Sequence, residues 1–230
     1  MATEGAFVSV VVVSWNGKGH LATCLPAVLR QGYRPLQVVV VDNGSTDDSA
    51  EFVADRFPDV LVVRSEVNLG FAGGANLGIR ASSGEYVATL NDDAEPEPGW
   101  LAAMVAAAES SARVGMVASK MLLRQRPGVI DSTGFCLDRA GIAWDRRGGE
   151  PDERPEPPVE PLAPCAGAAL YRRTMLDEIG LFDEDFFLYL EDVDLGWRGR
   201  LAGWECVYAP AARVYHRHSA SAGEDSPLKR

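Results

Sequence analysis

Residues 8–13 form a β-branched run with no polar alternation, the pattern of a strand covered on both faces. Leu21, Cys24, Leu25, Val28 and Leu29 then recur at helical spacing. Pro26 lies inside that pattern and removes one helical hydrogen bond, which predicts a kink or a late start. Residues 37–41 predict a second strand, closed by the turn chemistry of Asp42-Asn43-Gly44-Ser45. Asp47 or Asp48 is placed to cap a helix carrying Val53, Ala54 and Phe57. A third strand is expected over 60–63, followed by a glycine-rich loop and helix, and a fourth strand over 86–90.

Strands alternating with helices at this spacing predict an α/β fold with a mostly parallel sheet covered on both sides. In such sheets the ligand crevice lies beyond the carboxyl ends of the strands. Ser14-Trp15-Asn16, Asp42-Asn43-Gly44 and Asn91-Asp92-Asp93 all directly follow expected strands, so all three are expected to line one crevice. The second half is less regular. It predicts an alanine-rich helix over 100–110, a strand over 115–117, regular structure over 166–171 and a short helix over 174–179. Residues 150–164 are dense in proline and acid, and read as an exposed, mobile loop that could exclude water from a crevice.

The 230 residues fit one domain, with a regular half over 7–95, a less regular half over 96–219 and a tail over 220–230. A formal net charge of -11 argues against broad attraction to nucleic acid or to an anionic bilayer. Cys24, Cys136, Cys165 and Cys206 are scattered, with no CxxC pair, which reads as reduced thiols. The first residues lack a basic region followed by an apolar core, and the longest apolar run, 7–15, is too short to span a bilayer. A cytoplasmic location is the expectation.

Several residues could carry chemistry. Adjacent Asp92 and Asp93 repel unless a cation or donors offset them, and a hard divalent ion plus substrate phosphates is one solution; a plain polar turn is the other. Asp42 either accepts a hydrogen bond from a nucleoside or serves the turn. Residues 68–76 open a helix whose glycines permit close approach of a phosphate, but GxGxxG and GxxxxGK[ST] are absent. Glu191, Asp192 and Asp194, beside Trp197 and Arg198, fit a general base held by neighbours, or equally the acidic first turn of a helix. His216 is a metal ligand or a structural histidine near a strand end, with His218 as its alternative.

These segments also occur in a telling order. They are Val-Val-Ser-Trp-Asn within 11–16, Val-Asp-Asn-Gly-Ser-Thr-Asp (41–47), Asn-Leu-Gly-Phe-Ala-Gly-Gly-Ala-Asn (68–76), Asn-Asp-Asp (91–93), Glu-Asp-Val-Asp-Leu-Gly-Trp-Arg (191–198) and Tyr-His-Arg-His-Ser (215–219). From about residue 8 onward the chain closely resembles family 2 glycosyltransferases, in particular their bacterial rhamnosyltransferase-like branch. The resemblance implies a single GT-A domain, Rossmann-like with a mixed sheet, and an inverting single displacement. It implies that Ser14, Asn16, Asp42, Asn68, Gly70, Gly74, Asn76 and Asp92 line the nucleotide-sugar side. It further implies that Asp93, with Asp92 and His216, holds Mg2+ or Mn2+, and that Asp192, with Glu191 beside it, deprotonates the acceptor hydroxyl. The donor implied is dTDP-rhamnose or a UDP-sugar, and the acceptor a glycan or lipid-linked saccharide in cell-surface polysaccharide or glycolipid synthesis.

Two features depart from the family pattern. The metal motif begins with Asn91 rather than aspartate, and relatives usually continue past Arg230 with a basic amphipathic segment that would give peripheral contact with the inner face of the membrane. Two other readings compete: a nucleotidyltransferase, for which Lys18 is the only early basic residue near the crevice, and a binding module without turnover.

Overall fold

The structure, a computed structural model, describes residues 4–152 and 160–217. Strands β1 (Glu4–Ser14), β2 (Arg34–Asn43), β3 (Leu61–Ser65) and β4 (Tyr86–Asn91) pair in parallel. Helices α1 (Lys18–Leu29), α2 (Ser49–Arg56) and α3 (Gly70–Ala81) connect them. Valines decide the layering. Val8, Val10, Val12, Val38 and Val40 face the core under α1, while Val11, Val39 and Val41 face the core under α3. A strand buried on both faces therefore carries apolar residues at successive positions, as the valines at 10–13 do.

The chain continues through β5 (Ala94–Pro96), α4 (Trp100–Ala108), β6 (Val114–Leu123) and β7 (Ile130–Ser132). A small hairpin follows, β8 (Phe135–Leu137) with β9 (Ala143–Asp145). Then come β10 (Ala168–Arg172), α5 (Arg173–Ile179), α6 (Glu191–Leu201) and β11 (Glu205–His216). The main sheet runs β3-β2-β1-β4-β10-β6-β11-β5, with β7 paired to β6. β10 is antiparallel to both its neighbours, and β5 is antiparallel to β11, so the sheet is mixed. This is the mixed, mostly parallel α/β sheet that the resemblance implied.

Four local expectations change. α1 starts at Lys18, eight residues before Pro26, so the proline does not delay the helix, which runs through it to Leu29. Asp48 takes a left-handed conformation without a side-chain cap; Asp47 satisfies the start of α2, its Oδ1 accepting from the Ser49 amide at 3.2 Å. The strand expected over 115–117 is the ten-residue β6. The acidic, proline-rich segment is anchored at both described ends. Asp152 accepts from Lys120 Nζ and Arg213 Nη1, each at 2.7 Å, in a buried ion triad. Ala163 is fully buried, and its carbonyl accepts from the Phe135 amide. The remainder of that loop, 153–159, lies outside the described residues.

Helix α3 sits close on the sheet because Gly78 has no side chain. A Cβ there would overlap Val11 Cγ1 and come within 2.9 Å of Val41 Cγ2. Gly78→Ala is expected to destabilise the fold by about 1–3 kcal/mol, lowering Tm by about 3–10 °C in calorimetry. Gly19→Ala, in α1 with no atom within 4 Å of the added methyl, should leave Tm unchanged or slightly raised.

Candidate active site

The strand order reverses between β1 and β4, so a crevice opens beyond their carboxyl ends. Ser14 ends β1 and Asp92 follows β4; Ser14 Oγ donates to Asp92 Oδ2 at 2.6 Å across that opening. Burial, with repulsion from Asp93, raises the Asp92 carboxyl to about 7 despite the serine bond. The neighbouring turns are stitched together. Asn16, at a positive φ of 53°, accepts the Thr46 amide on Oδ1 at 2.8 Å, and its own amide donates to Ser45 Oγ at 2.9 Å. Asp42 Oδ1 accepts from the Ser45 amide at 3.1 Å.

Asn43 organises the glycine-rich segment. Its Nδ2 donates to Asn68 Oδ1 at 3.0 Å and to the Gly70 carbonyl at 2.9 Å, and its Oδ1 accepts from the Leu69 amide at 3.0 Å. Ser14, Asn16, Asp42, Asn68 and Gly70 thus gather at the carboxyl edge. Gly74 and Asn76 lie deeper. A Cβ at Gly74 would come within 2.7 Å of Val13 Cγ1, and the Asn76 amide is committed to the Phe182 backbone and Glu184. Both serve packing of α3 rather than an open surface.

Three separate stretches of chain meet at one imidazole. β11 ends at His216, which lies opposite Ala94 of β5 and therefore beside Asp93. His216 Nε2 is 3.1 Å from Asp93 Oδ1 and 3.1 Å from Asn91 Nδ2, while Nδ1 is 2.6 Å from Asp131 Oδ2. Burial alone would lower the imidazole, but its bonds to Asp131 and Asp93 outweigh that and raise it to about 10. Burial likewise opposes ionisation of Asp93, and His216 more than offsets it, so Asp93 stays below the usual carboxylate range.

Asp131 carries no signal in the sequence. It sits alone in a short strand, and only the pairing of β7 with β6 brings it to the site. By holding the proton on Nδ1, it presents Nε2 toward Asp93. Without a metal the ring is an imidazolium whose Nε2–H faces Asp93; a divalent ion bound there would displace that proton, leaving Asp93 and Nε2 as ligands and further positions for phosphate oxygens. Among the described residues no three His, Cys, Asp or Glu form a ready-made metal cluster, so substrate oxygens would have to complete the shell. His218 lies outside the described residues.

The second acidic pair stands at the start of α6. Asp192 Oδ2 accepts from the Ala166 amide and Oδ1 from the Val193 amide, each at 2.9 Å. Ala166 precedes β10, whose Ala168 lies opposite Leu90 at the end of β4, so the pair reaches the same edge of the sheet. Burial raises both carboxyls, Glu191 further through repulsion from Asp192. Glu191 Oε2 is buried with no hydrogen-bond partner among the described residues. Backbone amides hold Asp192; Arg198 pairs with Asp194 one turn earlier in α6 and ties that helix to the carbonyls of Ile179 and Leu181, each at 2.8 Å.

The glycosyl transferase family 2 model matches residues 9–180, most of the chain. The chain belongs to this family. An N-acetylglucosaminyl-diphospho-decaprenol L-rhamnosyltransferase of Mycobacterium tuberculosis is 32% identical over 240 residues, covering 94% of this chain and 78% of the relative. The O-antigen biosynthesis protein RfbC of Myxococcus xanthus is 28% identical over 95% of this chain but only 18% of its own length. Among solved structures, GalNAc-T7 with UDP, GalNAc and Mn2+ aligns with a TM-score of 0.75 at 18% identity, over 93% of this chain and 44% of that one. A mannosyltransferase from Pyrobaculum calidifontis, in complex with GDP-Man and Mn2+, aligns at 0.70 and 22% identity, over 97% and 59%. This family 2 glycosyltransferase chain thus spans about half the length of those solved proteins. The nucleotidyltransferase reading gives way to the family.

The unpartnered Glu191 gives a test by stability. Its raised pKa means that the folded state holds the proton more tightly than the unfolded chain, whose value is near 4.5. Ionisation therefore destabilises the fold progressively as pH rises above 4.5. Glu191→Gln is expected to raise Tm at pH 8, with a smaller gain or none at pH 4.5, in a pH series of melting curves.

Proposed function

We propose that this chain is an inverting, metal-dependent glycosyltransferase that moves a sugar from a dTDP- or UDP-sugar to a hydroxyl of a lipid-linked or cell-surface glycan. The observation that carries this reading is the division of carboxylates at one sheet edge. Asp93 is held ionised against His216, while Asp192 is buried on amide donors with a raised pKa. One group suits a permanent cation site and the other suits taking up a proton.

In this reading Asp42, Asn16, Asn68 and Gly70 receive the nucleotide at the β1–β2–α3 corner, with Ser14 keeping Asp92 in place. Asp93 and His216 Nε2 would hold Mg2+ or Mn2+, and Asp131 fixes the ring that offers Nε2. The ion, when bound, would offset charge gained by the departing nucleoside diphosphate. Asp192 takes the proton of the acceptor hydroxyl as that oxygen bonds to the anomeric carbon and the carbon–phosphate-oxygen bond breaks on the opposite face. Inversion follows from that geometry. Burial, with repulsion from Asp145, keeps the proton affinity of Asp192 above that of an exposed carboxylate, despite its amide donors.

The 32% identical relative is named for rhamnosyl transfer to N-acetylglucosaminyl-diphospho-decaprenol, which supports a lipid-linked saccharide as acceptor and rhamnose as the sugar. Among the described residues no helix is long and apolar enough to cross a membrane. Work at the cytoplasmic face of the cell membrane, through peripheral contact, is the proposed setting.

Thermal-shift measurements with UDP, dTDP and GDP, with and without Mn2+, test the donor site. A nucleotide at a hundred times its Kd should add about 2.7 kcal/mol of stability. The shift is expected only with Mn2+ present and is expected to vanish in Asp93→Ala. Asp192→Asn should keep the shift and lower kcat by about 10²–10⁴-fold. Turnover at the wild-type rate in that variant would rule out the base assignment.

A further inference from the structure

Of the eleven residues between α5 and the Glu191–Asp192 pair, the last five, 186–190, hold large apolar side chains away from the core. Asp183 caps a short 3-10 turn over Glu184–Phe186. Phe187, Tyr189 and Leu190 then take positive φ angles of 48°, 70° and 68°. For bulky residues such angles cost on the order of 1–3 kcal/mol each and persist only where the surroundings enforce them. The enforcement is visible. The Asn76 amide and Arg80 grip Glu184, the Phe71 amide donates to the Phe187 carbonyl at 2.7 Å, and the Leu190 carbonyl accepts from the Asp194 amide at 2.9 Å. Gly70 makes room, because a Cβ there would overlap the Phe187 carbonyl oxygen and lie 2.7 Å from its Cδ2.

The outcome runs against the hydrophobic effect. Phe186, Phe187, Tyr189 and Leu190 are 38%, 44%, 38% and 53% exposed, immediately before the buried Glu191 and Asp192. The segment touches the start of α3 at one end and is the N-terminal cap of α6 at the other, so it bridges the nucleotide corner and the base. This bridge adjoins Asp192 in the chain, on the side where an acceptor hydroxyl would approach the base. Pyranose rings offer apolar C–H faces that suit the electron-rich face of an aromatic ring. The flank is acidic, with Asp183, Glu184 and Asp185, which disfavours an anionic bilayer and favours a neutral sugar ring.

We propose that the strained segment 186–190 is the acceptor subsite, with Phe187 and Tyr189 as the stacking platform for a neutral pyranose ring of the acceptor. This rests on the glycosyltransferase reading above and assigns the substrate side of the same site. The strain supplies preorganisation: rings held outward before substrate arrives lose no further backbone freedom on binding.

Saturation-transfer NMR on the full chain, with methyl N-acetylglucosaminide and with N-acetylglucosaminyl diphosphate on a short isoprenyl tail, tests it. UDP or dTDP and Mn2+ are present, and the nucleotide thermal shift is recorded in parallel. Transfer to the sugar ring protons is expected in the wild type, reduced at least fivefold in Tyr189→Ala and in Phe187→Ala, and retained in Tyr189→Phe. The nucleotide shift should be unchanged in all variants, which also shows that they fold. Equal losses with both probes place the sugar ring, not the tail, on the platform. Three results overturn the proposal while leaving the donor site standing: full transfer in both alanine variants, no transfer to either probe in a wild type that still binds nucleotide, or losses confined to the tailed probe. Binding of the wild type to anionic phospholipid vesicles that is lost in Tyr189→Ala would assign the rings to a bilayer instead and overturns it too. Absence of any nucleotide shift in the wild type would remove the donor reading itself, and this inference with it.

Discussion

A single imidazole held between two carboxylates joins the late strands of this protein to the early ones. His216 closes β11, Asp93 follows β4, and Asp131 lies in the excursion after β6, so the contact spans three distant stretches of chain. Each partner is buried, and a buried carboxylate without a counter-charge would protonate or pull the structure open. The antiparallel pairing of β5 with β11 sets this contact, because it fixes Ala94 opposite His216. Once that register is in place, the mixed sheet has a charged, ordered end where the parallel half alone would offer only loops.

The carboxylates at that end fall into groups with opposite tendencies. Asp93 is stabilised in its ionised form by His216, whereas Asp92, Glu191 and Asp192 are pushed toward their protonated forms chiefly by desolvation. Environment, not residue type, separates them. Ser14 gives Asp92 one donor, two backbone amides serve Asp192, and Glu191 Oε2 has none among the described residues. A site that must hold a cation and also accept a proton needs such a division within one crevice.

Support for the crevice is spread through the fold. Asn43 and Asn76 spend their amides on the shape of α3 and on the segment that precedes α6. The Asp152 triad with Lys120 and Arg213 anchors the acidic loop to β6 and β11. A buried ion triad contributes little net stability, but removal of one member would leave uncompensated charge, so it fixes where that loop departs. The strained residues at 187, 189 and 190 stay in place because hydrogen bonds on both sides leave them little alternative.

By itself the sequence determined the parallel half of the sheet, β1 to β4. Valine runs with helical spacing between them allow one arrangement, and the segments after β1, β2 and β4 must then share an edge, because strand order places their carboxyl ends together. The acidic pair at 191–192 was legible for the same reason: local composition at a helix start is a local fact. Tertiary structure alone decided the rest. Asp131 reaches His216 only through the pairing of β7 with β6. Asn76 looked like a crevice residue until its amide was seen to hold Phe182 and Glu184, and Ala163 lies in an apparently exposed proline-rich stretch yet is buried. These contacts join residues far apart along the chain, and short-range pattern carries no information about which distant group will satisfy a buried polar atom.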